Sequence, residues 1–132
     1  MTTITSHSDS IKNLYAAFAR GDMPTVLGAM SPNFSWTEPE GNPYRDTHVG
    51  PDAVLQNVFM KLGTEWDVFA VVPQEFVAEA DTVVTLGEMS GTYKATGKSF
   101  KTPFVHVWKF SEGRLQSFNA QMDTVVYQRA LQ

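Results

Sequence analysis

The hydrophobic pattern of this chain changes period once, and that change limits the fold more than any other feature. As far as Leu62 the apolar residues recur mostly at helical spacing; from Trp66 onward they alternate as strands do. Ile11, Leu14, Tyr15 and Phe18 form one stripe at i, i+3, i+4 and i+7, with Ser6 or Ser8 suited to cap it and Gly21 to end it. Asp22 heads a short second helix with Val26, Leu27 and Met30 inward, which Ser31-Pro32 ends. Gly50-Pro51-Asp52 opens a third, whose apolar side is Val54, Leu55, Val58, Phe59 and Leu62. Between the last two, Phe34, Trp36 and Glu38 share one face of a strand, and residues 39–50 read as a loop.

Extended segments follow at Trp66–Val72 and Gln74–Ala78, broken at Pro73. Thr82–Tyr93 and Phe100–Phe110 are long strands joined at Thr96-Gly97-Lys98, and Ser111-Glu112-Gly113 turns into Leu115–Met122. Thr124–Leu131 closes as a short helix. Helices first and a strand meander afterwards is an α+β order, not alternating β/α units. The expected architecture is three N-terminal helices packed in the concave face of a strongly curved, mostly antiparallel sheet, a cone with one open end. The 132 residues fit one domain, 1–132, with residues 1–8 fraying.

Bulk properties exclude several functions. A net charge of −4, with basic residues scattered except for Lys94, Lys98 and Lys101 around one turn, argues against nucleic acid. The absence of cysteine removes disulfides, thiolate catalysis and sulfur-bound metal centres, and fits a cytoplasmic location. Residues 1–10 lack a basic and an apolar signal region, and no apolar run reaches the roughly 18–20 residues of a membrane span. His7, His48 and His106 have no ligand spacing, and there is neither a phosphate loop nor a Gly-x-Ser-x-Gly elbow, so no cofactor or metal is expected.

What remains is carboxylate and imidazole chemistry at an apolar pocket. Glu38, at a strand end beside Trp36, reads either as a desolvated general base or as a rim glutamate in water. His106, among Phe100, Phe104, Trp108 and Phe110, reads as a proton shuttle or as a core or interface imidazole. Tyr15 either donates its hydroxyl into the pocket or packs as core; Glu88 is a cavity acid or a solvent-facing one. Phe18, Trp36, Phe59, Met60, Phe118 and Met122 are the other expected lining residues.

The helix ending Phe18-Ala19-Arg20-Gly21-Asp22, the strand Trp36-Thr37-Glu38, the loop from Pro39 to Tyr44 and the helix start Gly50-Pro51-Asp52-Ala53-Val54 come in a recognisable order. So do Gly91-Thr92-Tyr93-Lys94-Ala95-Thr96-Gly97-Lys98, Pro103-Phe104-Val105-His106-Val107-Trp108 and Met122-Asp123-Thr124. Together they resemble the SnoaL-like branch of the nuclear transport factor 2-like and ketosteroid isomerase-like superfamily, from Ile11 to about Val126. The resemblance implies a homodimer packed through the outer sheet face, a small hydrophobic ligand, and an acid/base aspartate at Asp123, which is alternatively the cap of the last helix. It sets Glu38-Pro39 at the general-base position of ketosteroid isomerase. That family's two oxyanion donors fall on Leu14 and Val105, so Val105 would line the pocket and His106 would face the opposite side of the sheet. Missing both donors argues against steroid isomerisation, and no Arg with paired Asp supports epoxide hydrolysis. The resulting expectation is a cofactor-free isomerase, cyclase or dehydratase acting on a small hydrophobic carbonyl or polycyclic compound. The alternative is a non-catalytic ligand-binding module or dimeric interaction domain.

Overall fold

Ser6 accepts from Asp9 N through its side chain and so caps the first helix, α1 (His7–Ala19). The structure, a computed structural model, describes residues 6–132. Of the stretch expected to fray, residues 1–5 lie outside the described residues, whereas His7 belongs to α1, stacks on Phe110 at 3.9 Å and meets Asp81 at 3.0 Å.

Asp22 caps α2 (Met23–Gly28) by accepting from Thr25 N. That helix ends before Met30, because Met30, Ser31 and Pro32 already belong to β1 (Met30–Glu38). Pro32 has no N–H to give to a ladder, and the register of β1 shifts across it, between Met30 and Ser35. The expected loop is shorter than residues 39–50, because Asp46–Val49 forms β2 against the end of β1. Helix α3 covers residues 51–65 as Pro51–Val54, a π-helical stretch Leu55–Phe59, and Met60–Glu65.

The remaining strands are β3 (Trp66–Glu79), β4 (Thr82–Tyr93), β5 (Ser99–Ser111) and β6 (Arg114–Met122), followed by α4 (Thr124–Leu131). Pro73 does not break β3. It lies on an edge strand, where a register shift between Pro73 and Glu75 absorbs the missing donor. The six strands form one mixed sheet in the order β2-β1-β6-β5-β4-β3, antiparallel except where β1 runs parallel to β6.

The sheet is open and not strongly curled, which corrects the expected cone. Its edges, β2 and β3, do not pair; the helices cover one face and supply the walls a closed sheet would have supplied. That inner face carries Phe34 and Trp36 of β1, Phe118 and Ala120 of β6, and Phe104, His106 and Trp108 of β5, all buried. Burial alternates along β5, with the even-numbered residues from Phe100 to Trp108 inward. No helix among the described residues is long and apolar enough to cross a membrane.

Candidate active site

Three rows of side chains cross the inner face. One is Trp36, Phe118 and Trp108 on β1, β6 and β5, with Trp36 stacked on Phe118 at 3.7 Å. Carried one residue further, the same register sets Glu38 beside Ala120, and Ala120 pairs with His106. Glu38 and His106 therefore stand in one row, two strand spacings or about 10 Å apart along the backbone, with only the methyl of Ala120 between them. The third row is Met122 and Phe104. Helix α1 lays Leu14, Tyr15 and Phe18 over these rows, α3 adds Phe59 and Leu62, and α4 adds Tyr127. Together they enclose a cavity of about 60 Å³, lined almost wholly by apolar groups.

Glu38 lines this cavity and keeps only part of its surface open. Trp36 Nε1 donates to its Oε1 at 3.0 Å, and Asn42 Nδ2 donates to its Oε2 at 3.2 Å. Both bonds favour the carboxylate, yet the loss of water outweighs them and pushes its pKa up to about 8. No lysine or arginine lines the cavity to oppose that rise. Asn42 is itself fixed, since its Oδ1 accepts from Tyr44 N at 2.8 Å.

His106 is 7% exposed and lines the same cavity, which corrects the expectation that Val105 faces inward. Val105 is 37% exposed on the outer face. The register inferred from ketosteroid isomerase is off by one residue here, and a slip of one turns every side chain over. Tyr15 Oη lies 2.6 Å from His106 Nδ1 and accepts from Trp108 Nε1 at 3.1 Å. An indole only donates, so the phenol proton goes to His106, and the network assigns the imidazole proton to Nε2. Burial holds the ring neutral by lowering its pKa to about 3, and pushes Tyr15 well above the ordinary tyrosine range. With Nδ1 occupied, Nε2–H is the donor this ring has left, and it has no partner among the described residues. Thr85, opposite His106 on β4, is fully buried and its Oγ1 has no partner either.

Asp123 is exposed and lies outside the cavity. Its Oδ1 accepts from Val125 N at 3.1 Å and Val126 N at 3.2 Å, so it caps α4 and does not face the acid/base site expected of it. Met60, on the solvent side of α3, is 49% exposed and is likewise not a lining residue. Glu88 projects from the outer face toward Lys101, 3.4 Å away. Tyr15, Phe18, Trp36, Phe59, Phe118 and Met122 all line the cavity.

Asn42, Tyr44 and Tyr127 line the cavity too, and sequence reasoning assigned them no role. Tyr44 donates to Glu65 Oε1 at 2.5 Å and accepts from Trp66 Nε1 at 2.9 Å, tying the loop after β1 to the end of α3. Burial raises Tyr44, with Glu65 adding to it; burial likewise raises Tyr127, helped by Tyr44, Glu38 and Glu65. The one local signal was a tyrosine on the inward side of a short capped helix.

The chain belongs to the SnoaL-like domain family, which matches residues 11–118, and has the nuclear transport factor 2-like, ketosteroid isomerase-like fold. It is similar to a nuclear transport factor 2-like protein from Burkholderia thailandensis E264, with 33% identity, a TM-score of 0.94, and 98% of this chain and 99% of that one covered. A second such protein, of unknown function, from Burkholderia pseudomallei K96243 shares 31% identity over 96% of this chain and 98% of the other, with a TM-score of 0.87. TerC, co-crystallised with polyporic acid, shares 25% identity over 93% and 95% of the two chains, with a TM-score of 0.83. No curated protein matches the chain.

Proposed function

We propose that this protein is a cofactor-free enzyme that moves a proton on a small hydrophobic carbonyl compound, acting in the cytoplasm. Glu38 is the general base and acid, and His106 Nε2–H binds the carbonyl oxygen. The observation that carries this reading is the shared row: a desolvated carboxyl and a neutral imidazole donor flank Ala120 and line one apolar cavity. A carboxylate with pKa near 8 is strong enough to take an activated α-proton and still reloads at neutral pH. As the C–H electron pair moves toward the carbonyl, charge develops on oxygen, where a preorganised donor in a dry site is most effective. Tyr15 acts through His106, by fixing its tautomer. Returning the proton from Glu38 to another carbon gives isomerisation; attack by the enolate on a second carbonyl, whose oxygen takes that proton, gives cyclisation; and loss of a β-hydroxyl as water, protonated by Glu38, gives dehydration.

The similarity to TerC, co-crystallised with polyporic acid, supports a small-molecule ligand. A non-catalytic ligand-binding module is the second reading, favoured by a lining that is almost wholly apolar. We also propose that a second copy of the chain covers the outer sheet face. Val77, Val84 and Val107 lie side by side across three strands there, next to Leu86 and Val105, with no helix over them among the described residues. Light scattering after gel filtration tests this through the mass; a monomer would refute it.

Proton transfer is tested without knowing the substrate by following hydrogen–deuterium exchange at the α-carbon of 1-tetralone by NMR. The wild type should accelerate exchange, with a rate that rises through about pH 8 as Glu38 ionises. Acceleration that survives Glu38→Gln would end this reading.

A further inference from the structure

Three tyrosines line the cavity, and their hydroxyls are in different states. Tyr15 Oη is bonded to His106 and Trp108, and Tyr44 Oη to Glu65 and Trp66. Tyr127 is 1% exposed, and its hydroxyl has no hydrogen-bond partner among the described residues. Among the described residues only Thr85 Oγ1 is both fully enclosed and unpaired, so the Tyr127 hydroxyl keeps a little surface open, and a phenol this buried ordinarily finds a partner.

This hydroxyl is also held in place. The ring stacks on Phe100 at 4.4 Å and meets Trp66 edge-on at 5.4 Å, which fixes its plane. The helix beneath it is anchored at both ends. Asp123 caps its start, and Gly41, at φ 93°, passes so close that an added Cβ would come within 2.8 Å of Thr124. At the other end, Thr96 Oγ1 donates to Ala130 O at 2.5 Å, and Lys98 Nζ donates to Gln132 O. A rigid, unpaired donor on the wall of an apolar cavity is arranged for an acceptor that the chain does not supply.

We propose that Tyr127 is a ligand-binding residue, donating from Oη to an oxygen of the molecule in the cavity, so that the site selects compounds with two oxygen acceptors over those with one. His106 Nε2–H serves one oxygen and Tyr127 the other. Tyr127 stacks on Phe100, and His106 lies further along the same strand, so the two donors reach the cavity from different sides. The proposal rests on the cavity being a ligand site, not on Glu38 being a catalyst.

The test compares 1,4-naphthoquinone, with a carbonyl at each end, with 1-tetralone, which has one. Trp36 and Trp108 line the cavity, so quinone binding is read by tryptophan quenching and tetralone by competition. With no cysteine in the chain, the quinone has no thiol to alkylate. The wild type should prefer the quinone roughly fivefold, about one net hydrogen bond, and Tyr127→Phe should abolish that preference while leaving tetralone affinity unchanged. The melting temperature of Tyr127→Phe should stay level or rise, because the variant removes an unpaired hydroxyl and keeps the ring. A preference that persists in Tyr127→Phe overturns the proposal, as does failure of the quinone to bind. A clear drop in melting temperature would show that the hydroxyl has a protein partner, and overturns it equally. If wild type shows the preference but no tetralone exchange, the catalytic reading fails and Tyr127 stands.

Discussion

Strands β1 and β6 lie side by side and run parallel, so both leave the sheet on the same side, and each delivers an acid there. Glu38 is the last residue of β1, level with Ala120 of β6; Asp123 comes three residues later, just past the end of β6. The first is still within the sheet, where pleating turns it inward under α1 and α3. The second is beyond the last ladder pair, where the chain bends into α4 and the side chain turns back on its own backbone amides. One carboxyl loses water and holds its proton to about pH 8; the other stays in water and caps a helix. A carboxyl at a strand end is desolvated or stays in water as a helix cap according to whether the sheet or the next helix claims its side chain.

The sharpest way to break this contrast is to remove each charge without changing shape. Glu38→Gln should lower α-proton exchange of 1-tetralone by about 100-fold or more, the usual contribution of a positioned general base. Asp123→Asn keeps a competent cap and should leave exchange unchanged within about twofold. Equal losses in the two variants would mean that Asp123 reaches the cavity in solution and that the division drawn between them is wrong.

The second consequence is in stability against pH. Glu38 keeps its proton in the fold up to about pH 8, whereas an unfolded glutamate sheds it near 4.5; its contribution is full below 4.5 and lost as pH rises toward 8. His106 works the other way. It stays neutral in the fold down to about pH 3 but takes a proton below 6.5 when unfolded, so its contribution is full above 6.5 and lost as pH falls toward 3. Between 4.5 and 6.5 the two slopes cancel and their sum is a plateau, with a falling limb on each side. Urea denaturation across this range should show Glu38→Gln removing the alkaline limb, worth about 2 kcal/mol between pH 6.5 and 8 at the slope of one titrating group. A limb unaltered in the variant would mean that Glu38 is solvated.

Much of this division was legible before the structure and part of it could not be. The stripe of α1 and the alternation Phe34, Trp36, Glu38 are local patterns, and both elements bury those faces. Which face His106 takes is not local, because a register transferred from another protein carries any offset of one residue into an inverted sheet. Strand β2 is four residues without alternation, and it exists because the end of β1 offers it a partner. Sheet closure is a matter of tertiary fit, and here helices occupy the gap. Tyr127 needed the same knowledge. Its short helix reads as a terminal cap until Phe100 and Trp66 are found beneath it.

A smaller effect separates the imidazole from the group that holds it. Tyr15→Phe leaves His106 Nδ1 and Trp108 Nε1–H unpaired in the core, which should cost about 1–2 kcal/mol of stability. Because Nδ1 can then carry the ring proton, Nε2 loses its role as a fixed donor, and exchange of 1-tetralone should fall about tenfold. His106→Asn keeps an acceptor in place for Tyr15 and should lose exchange without the stability loss. If Tyr15→Phe alters stability alone, the hydroxyl is structural and the imidazole does not depend on it.

The least effect belongs to the other acid. Asp123→Ala removes both bonds to the first turn of α4 and should cost about 1 kcal/mol, which lowers Tm by roughly 4 °C in a domain of this size. The reach of that loss matters more than its size. Fraying at Asp123 loosens the turn that carries Tyr127, so naphthoquinone affinity should weaken slightly while Glu38 and His106 across the cavity keep their geometry. Asp123→Ser restores a cap without a charge at neutral pH and should recover most of both losses. Recovery by serine would establish that Asp123 contributes as a hydrogen-bond acceptor for backbone amides. Recovery by glutamate alone would show that its negative charge is what the site uses, and would bring the two carboxyls back into one mechanism.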